Sequence, residues 1–139
     1  MRNEVYSGRL RLLGEEDERT LVSANNYGHC LLGLRRFEEA KSLLRKMIPV
    51  ARRFLGESNE HTLKMRWNYA AALYNDEGAT LDDLREAVTT LEDTARRARR
   101  ALGGAHPIAT GLGFELPRAR AALDARETPK DGLDDVEDA

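Results

Sequence analysis

Residues 51–63 read ARRFLGESNEHTL. A basic run of helical composition ends in Leu55-Gly56, a short polar stretch follows, and Thr62-Leu63 starts a new apolar series. The same order occurs as GRLRLLGEEDERTL over 8–21 and as ARRALGGAHPIAT over 98–110. The pairs Leu13-Gly14, Leu55-Gly56 and Leu102-Gly103 are 42 and 47 residues apart. In the first step Thr20-Leu21 falls on Thr62-Leu63, and Asn26-Tyr27 on Asn68-Tyr69. In the second, Glu39-Ala40 falls on Glu86-Ala87, Leu44 on Leu91, and Ala51-Arg52-Arg53 on Ala98-Arg99-Arg100. Matches continue on both sides of one five-residue insertion, confined to NDEGATLDD over 75–83. This is a repeat protein, and the repeat governs the fold before any local feature does.

Each unit reads as two helices. The first helix of unit one runs over about 18–32, with Leu21, Ala24, Gly28 and Leu31 at helical spacing. Asp17 is placed to cap it, since its carboxylate can accept from the free N–H groups of the first turn. Asn59 takes that place in unit two, and His106-Pro107 in unit three, with proline at the first helical position. The second helix of unit one runs over about 36–55, turning Phe37, Ala40, Leu44 and Met47 inward, and Gly56 supplies the left-handed residue that ends it. Pro49 inside it predicts a kink. Unit two repeats the plan over about 60–75 and 81–102, with Thr80 capping and Asp82 and Asp83 near the positive helix end. The insertion predicts a turn that projects from one edge of the stack. A last helix over about 107–125 carries Gly111, Gly113 and Pro117, which weaken its pattern.

The predicted architecture is therefore all-α, an α-α superhelix of about six helices. Residues 1–13 form the second helix of an incomplete leading repeat, 14–56 unit one, and 57–103 unit two with its insertion. Residues 104–125 form a lone first helix of a third unit, and 126–139 an acidic disordered tail. After Arg126 come six acids and one lysine, so this tail carries −5 of a net charge of −2 and leaves the remainder at +3. Hydrophobic residues at 41% and charged residues at 33% suit a helical chain with much exposed surface. A single cysteine, Cys30, excludes an internal disulfide and a multi-cysteine zinc site. No signal-peptide core and no apolar run near the roughly 20 residues of a membrane span are present, so the expected compartment is cytoplasmic, with no membrane partner.

The pieces LGEEDERTL, ANNYG, RRFEEAKSLL and LGESNEHTL, followed by WNYAA, LREAV and LGGAHPIA, resemble the tetratricopeptide repeat, and more closely the 42-residue variety of kinesin light chains. The resemblance covers about 10–116. It implies stacked helix pairs whose first helices line a concave surface that binds a peptide or helix of a partner protein. Arg35 stands where the pattern places glycine in the intra-repeat turn, and Glu115 where it places asparagine. By register, unit one would present Val22, Asn25, Asn26, His29 and Leu32, and unit two Lys64, Trp67, Asn68, Ala71, Tyr74 and Asn75. Asn26 and Asn68 match the asparagine that contacts peptide backbone in such repeats. Amides can bond both N–H and C=O of a strand of peptide, while Trp67 and Tyr74 offer flat apolar area. Trp67 has two roles open: peptide anchor, or packing against the neighbouring helix.

Sharper chemistry finds little support. Glu57, Glu60 and His61 look like an acid–base or metal set, and Gly56 with Ser58 like a phosphate cradle. Yet Arg19 and Ile108 replace His61 in the other units, as a connector allows. His29 and Cys30 are adjacent on a helix and point about 100° apart, so they are no nucleophile–base pair. His29, His61 and His106 have no ligand spacing. No catalytic residue, metal or cofactor is expected, and the chain is read as a non-enzyme. The ridge Arg96, Arg97, Arg99 and Arg100 offers a lesser, nucleic-acid reading without interleaved aromatics, and Glu92 and Asp93 are placed to neutralise it. Two further readings remain: self-association through the repeat edges, and a fragment of a longer array without independent function, since two full units fall short of the three or more usually needed.

Overall fold

The computed structural model describes residues 2–14 and 17–128. Six helices follow in order: α1 (Arg2–Leu13), α2 (Glu18–Gly33), α3 (Phe37–Leu55), α4 (Glu60–Asn75), α5 (Leu81–Leu102) and α6 (Pro107–Glu127). Each packs on its neighbour in the chain, and α4 also meets both α2 and α6. The result is an all-α, sequentially packed helical-repeat arrangement. Its core runs the length of the stack through Leu21, Leu44, Leu63, Leu73, Leu91 and Leu112, all fully buried.

The helix ends follow from local chemistry and recur at the same register. Asp17, Asn59 and His106 each accept a hydrogen bond from the backbone N–H two residues on, at Arg19, His61 and Ile108. Gly14, Gly56 and Gly103 all take positive φ, near 83°, 95° and 93°. The N–H of each closes the preceding helix on the carbonyl four residues back, at Leu10, Arg52 and Arg99. A side chain at these glycines would be strained, which is why Leu-Gly marks every junction. Buried Thr20 and Thr62 then tie the first two junctions to the helices before them, donating to the carbonyls of Arg9 and Ala51, both 11 residues upstream.

The helix α3 continues through Pro49, the residue expected to kink it; Pro49 and Arg45, whose carbonyl loses its partner, are both exposed, so water can serve it. Two expectations, on the insertion and on the end of the last helix, need adjustment. The insertion does not stand clear of the stack. Glu77 and Gly78 at its tip are exposed, as are Asn75, Thr80 and Asp82, but Ala79 is buried and its carbonyl accepts from Arg126 at 2.8 Å. Asp76 is held 3.5 Å from the buried ammonium of Lys41, which also bonds Glu38 at 2.6 Å. Finally, α6 continues through Glu127, past the expected end of the last helix, because Arg126 grips Ala79 and Glu127 lies 3.3 Å from Arg85. The rest of the expected acidic tail, 129–139, lies outside the described residues.

In the turn between α2 and α3, Arg35 itself adopts φ 60°, while Gly33 is the last helical residue. Arg35 thus takes the conformation that glycine would supply. Its guanidinium lies 5.2 Å from the Phe37 ring centre and 3.6 Å from exposed Glu77.

Candidate functional site

The first helices of successive pairs, α2, α4 and α6, lie side by side. Between them is a depression of about 410 Å³. Its walls include Asn25, Asn26, His29 and Leu32 from α2, Lys64, Trp67, Asn68, Ala71 and Asn75 from α4, and Glu115 from α6. Helical spacing explains the grouping, since positions three and four apart share one face. Of the residues singled out from sequence, Asn25, Asn26, His29, Lys64, Trp67 and Asn68 come together here. Tyr74 does not: it is half-buried against the main core. It shares its register with Leu32, which lines the depression one unit earlier.

A hydrogen-bonded amide ladder forms the floor. Asn68 donates from Nδ2 to Oδ1 of buried Asn25 at 2.7 Å, and its own Oδ1 lies 3.5 Å from His29 Nδ1. One rung further on, Trp67 donates from Nε1 to Glu115 Oε1 at 3.2 Å. The two rungs are equivalent in register: Asn25 corresponds to Trp67, and Asn68 to Glu115. Asn75 turns its amide back to the Ala71 carbonyl at 2.9 Å. Asn26 and Lys64 are exposed, with neither a side-chain hydrogen bond nor an ion pair among the described residues. They are the polar groups most open to a ligand.

Trp67 does both things that its sequence position allowed. It lines the depression and it packs on α6, where a Cβ added at Gly111 would sit 2.1 Å from the indole Cη2. Gly111 is therefore the residue that lets the ring lie against the helix. Sequence reading missed Glu115 as a wall residue, although its register with Asn26 and Asn68 was the available signal.

On the opposite side, Arg66 of α4 has a side chain only 9% exposed and donates to Asp93 Oδ2 at 2.7 Å. Asp93 also accepts from Arg96 and Arg97 at 2.9 Å each. Burial pushes the Asp93 carboxyl up, but Arg66 and Arg97 outweigh it and hold the group well below the usual carboxylate range. Arg97 adds a second contact to Glu57 at 3.0 Å. Half of the arginine ridge is thus committed to internal acids, leaving Arg99 and Arg100 exposed. Nothing in the sequence pointed to Arg66, since its counterpart in α2 is Ala24.

The three histidines are dispersed. His29 belongs to the amide ladder, His61 lies in the first turn of α4, and His106 caps α6 with its Nε2 3.7 Å from Glu60. Cys30 is half-buried beside exposed His29. Among the described residues no helix is long and apolar enough to cross a membrane. The chain matches no protein-family model, no curated protein and no solved structure.

Proposed function

We propose that this chain is a tetratricopeptide-type helical repeat, of the kinesin-light-chain-like variety, and that it serves as a protein-interaction module rather than an enzyme. An extended peptide or a helix of a partner protein lies along the depression between α2 and α4. Asn26 and Asn68 meet its backbone, Leu32, Ala71 and the Trp67 face meet its side chains, and Lys64 takes an acidic or carbonyl group. The observation that carries this reading is the grouping of Asn26, Lys64 and Trp67, from two successive first helices, around one depression, with the polar Asn26 and Lys64 exposed. An amide supplies both donor and acceptor, which is what a peptide bond needs.

The nucleic-acid reading through Arg96 to Arg100 has less behind it. Arg96 and Arg97 already pair with Asp93, and Arg97 with Glu57.

The test is affinity capture from lysate with the wild type and an Asn26→Ala/Lys64→Ala double variant. Both side chains are exposed, so helicity and melting stay unchanged. The variant is expected to lose proteins that the wild type retains. An identical set of bound proteins on both would overturn the assignment of this depression.

A further inference from the structure

Two exposed apolar side chains at register positions that are covered in the other units lie at opposite ends of the stack. Phe114 on α6 is 79% exposed, and Val5 on α1 is 49% exposed. Register shows how unusual this is. Val5 corresponds to Met47 in α3 and to Thr94 in α5, both fully buried. Phe114 corresponds to Trp67, which lies against the next first helix at Gly111, and to Asn25, which is buried against α4. Each position is covered by a neighbouring helix wherever the stack supplies one.

The face of α6 around Phe114 has the same character. Thr110, Gly113 and Pro117 are exposed, yet they correspond to Leu63, Arg66 and Ala70 of α4, all buried in the stack where α5 and α6 pack on α4. So α6 presents the surface of a first helix that awaits its second helix. At the other end, α1 occupies the register of a second helix, with no first helix against its outer side among the described residues. Beside it, Val5, Arg9, Ser23 and Asn26 enclose a notch of about 190 Å³. Asn26 is the register counterpart of Glu115, the residue that receives the Trp67 indole one unit on. The notch is thus the place where the side chain at the Trp67 position of a preceding first helix would enter. In this chain the outermost holder of that position is Phe114.

We propose that a second copy of this chain docks head to tail, with Phe114 of one copy seated in the notch formed by Val5, Arg9, Ser23 and Asn26 of the next. In this arrangement α6 of the first copy and α1 of the second form one helix pair, equivalent to α4 with α5. A single stacking step covers Phe114 and Val5 together. Arg9 is held in the notch wall by donating to Ser23 Oγ at 2.9 Å and to the Arg19 carbonyl at 3.2 Å, so its guanidinium can meet the face of the incoming ring. The contact is heterologous, so it propagates into an open chain or closes into a ring.

Sedimentation of the full chain over a concentration range tests this. The wild type is expected to gain mass with concentration, while Phe114→Glu and Val5→Glu each remain monomeric with unchanged helicity, both sites being exposed. An equimolar mixture of the two variants retains one intact junction, the notch from one and Phe114 from the other, and is expected to form a heterodimer and nothing larger. A wild type that is monomeric at every concentration, and hence associates more weakly than about 1 mM, overturns the proposal. So does assembly of Phe114→Glu alone, or a Val5→Glu variant that dimerises with itself, which would mean a symmetric Phe114 contact. If the full chain is monomeric and assembles only after removal of 129–139, the chain's own tail is the occupant and the proposal falls.

Discussion

Two glycines in one helix should respond oppositely to the same substitution. At Gly113 an added Cβ meets nothing within 4 Å, and the position is exposed. Alanine there gains its helix propensity, about 1 kcal/mol. At Gly111 the same Cβ would fall 2.1 Å from Trp67 Cη2, 2.9 Å from Cζ2 and 3.0 Å from Cζ3. The indole must move away, which strains the 3.2 Å bond from Nε1 to Glu115 and the packing around the ring. Forcing a methyl into a packed contact costs about 1–3 kcal/mol, against which the propensity gain offsets about 1. The two variants should therefore differ in stability by about 2 kcal/mol, with Gly111→Ala the less stable. For a chain of 139 residues that is a gap of roughly 6–10 °C in Tm. Trp67 is the one tryptophan in the sequence, so its emission reports the displacement directly. In a Trp67→Ala background Gly111→Ala should become favourable, and the cycle gives the coupling. If Gly111→Ala is as stabilising as Gly113→Ala and leaves the emission unchanged, the ring does not lie on Gly111 and the reasoning fails.

Two other predictions concern charge and backbone strain. Asp93→Asn should lose about 2–3 kcal/mol at pH 7 in urea unfolding, because it leaves the nearly buried Arg66 without its carboxylate; Asp93 is itself 28% exposed, which keeps the loss below that of a fully buried pair. Since the folded carboxyl titrates below its unfolded value, its contribution is complete above about pH 4 and fades as pH falls through the folded value, so the gap between wild type and variant should close in acid; a gap that is constant from pH 7 to pH 2 would refute this. Arg35→Gly should be more stable than Arg35→Ala by about 1 kcal/mol in the same assay, because both lose the contacts to Phe37 and Glu77 and only glycine relieves the φ of 60°; equal stabilities would show that the turn carries no strain.

What was legible in the sequence was local. A capping residue acts on an N–H two residues away and a glycine on a carbonyl four back, so Asp17, Asn59, His106 and the Leu-Gly pairs mark helix ends without any knowledge of tertiary structure. The grouping of Asn25, Asn26, His29, Lys64, Trp67 and Asn68 was legible for a related reason: helical spacing and a fixed repeat register place them on one side of parallel helices. What depended on side-chain reach across helices was not legible. Arg66 finds Asp93 27 residues away, and no periodicity announces that partner. The insertion turns inward because Asp76 meets Lys41 and Arg126 meets the Ala79 carbonyl, contacts that span 35 and 47 residues. Tyr74 looked equivalent to the other aromatic by composition, but it packs against the main core without lining the depression.

The amide ladder also constrains what the proposed ligand must bring. Asn68 has already committed one N–H to Asn25 and turned its carbonyl towards His29, and Trp67 has committed its only donor to Glu115. An amide keeps one further N–H and a lone pair, so Asn68 can still bond a peptide, but Trp67 can offer only its ring face. Hydrogen bonds exchanged with water contribute about 1 kcal/mol each, and one to a charged group such as Lys64 about 1.5–3, so losing Asn26 and Lys64 together weakens binding by roughly tenfold or more. The rest of the affinity comes from apolar side chains placed over Leu32, Ala71 and the indole. Lys64 and Glu115, the charged wall residues, are of opposite sign, so the depression carries little net field to steer a strongly charged ligand. A peptide that combines a free backbone edge with one or two apolar side chains fits these walls better than an acidic or basic tract does.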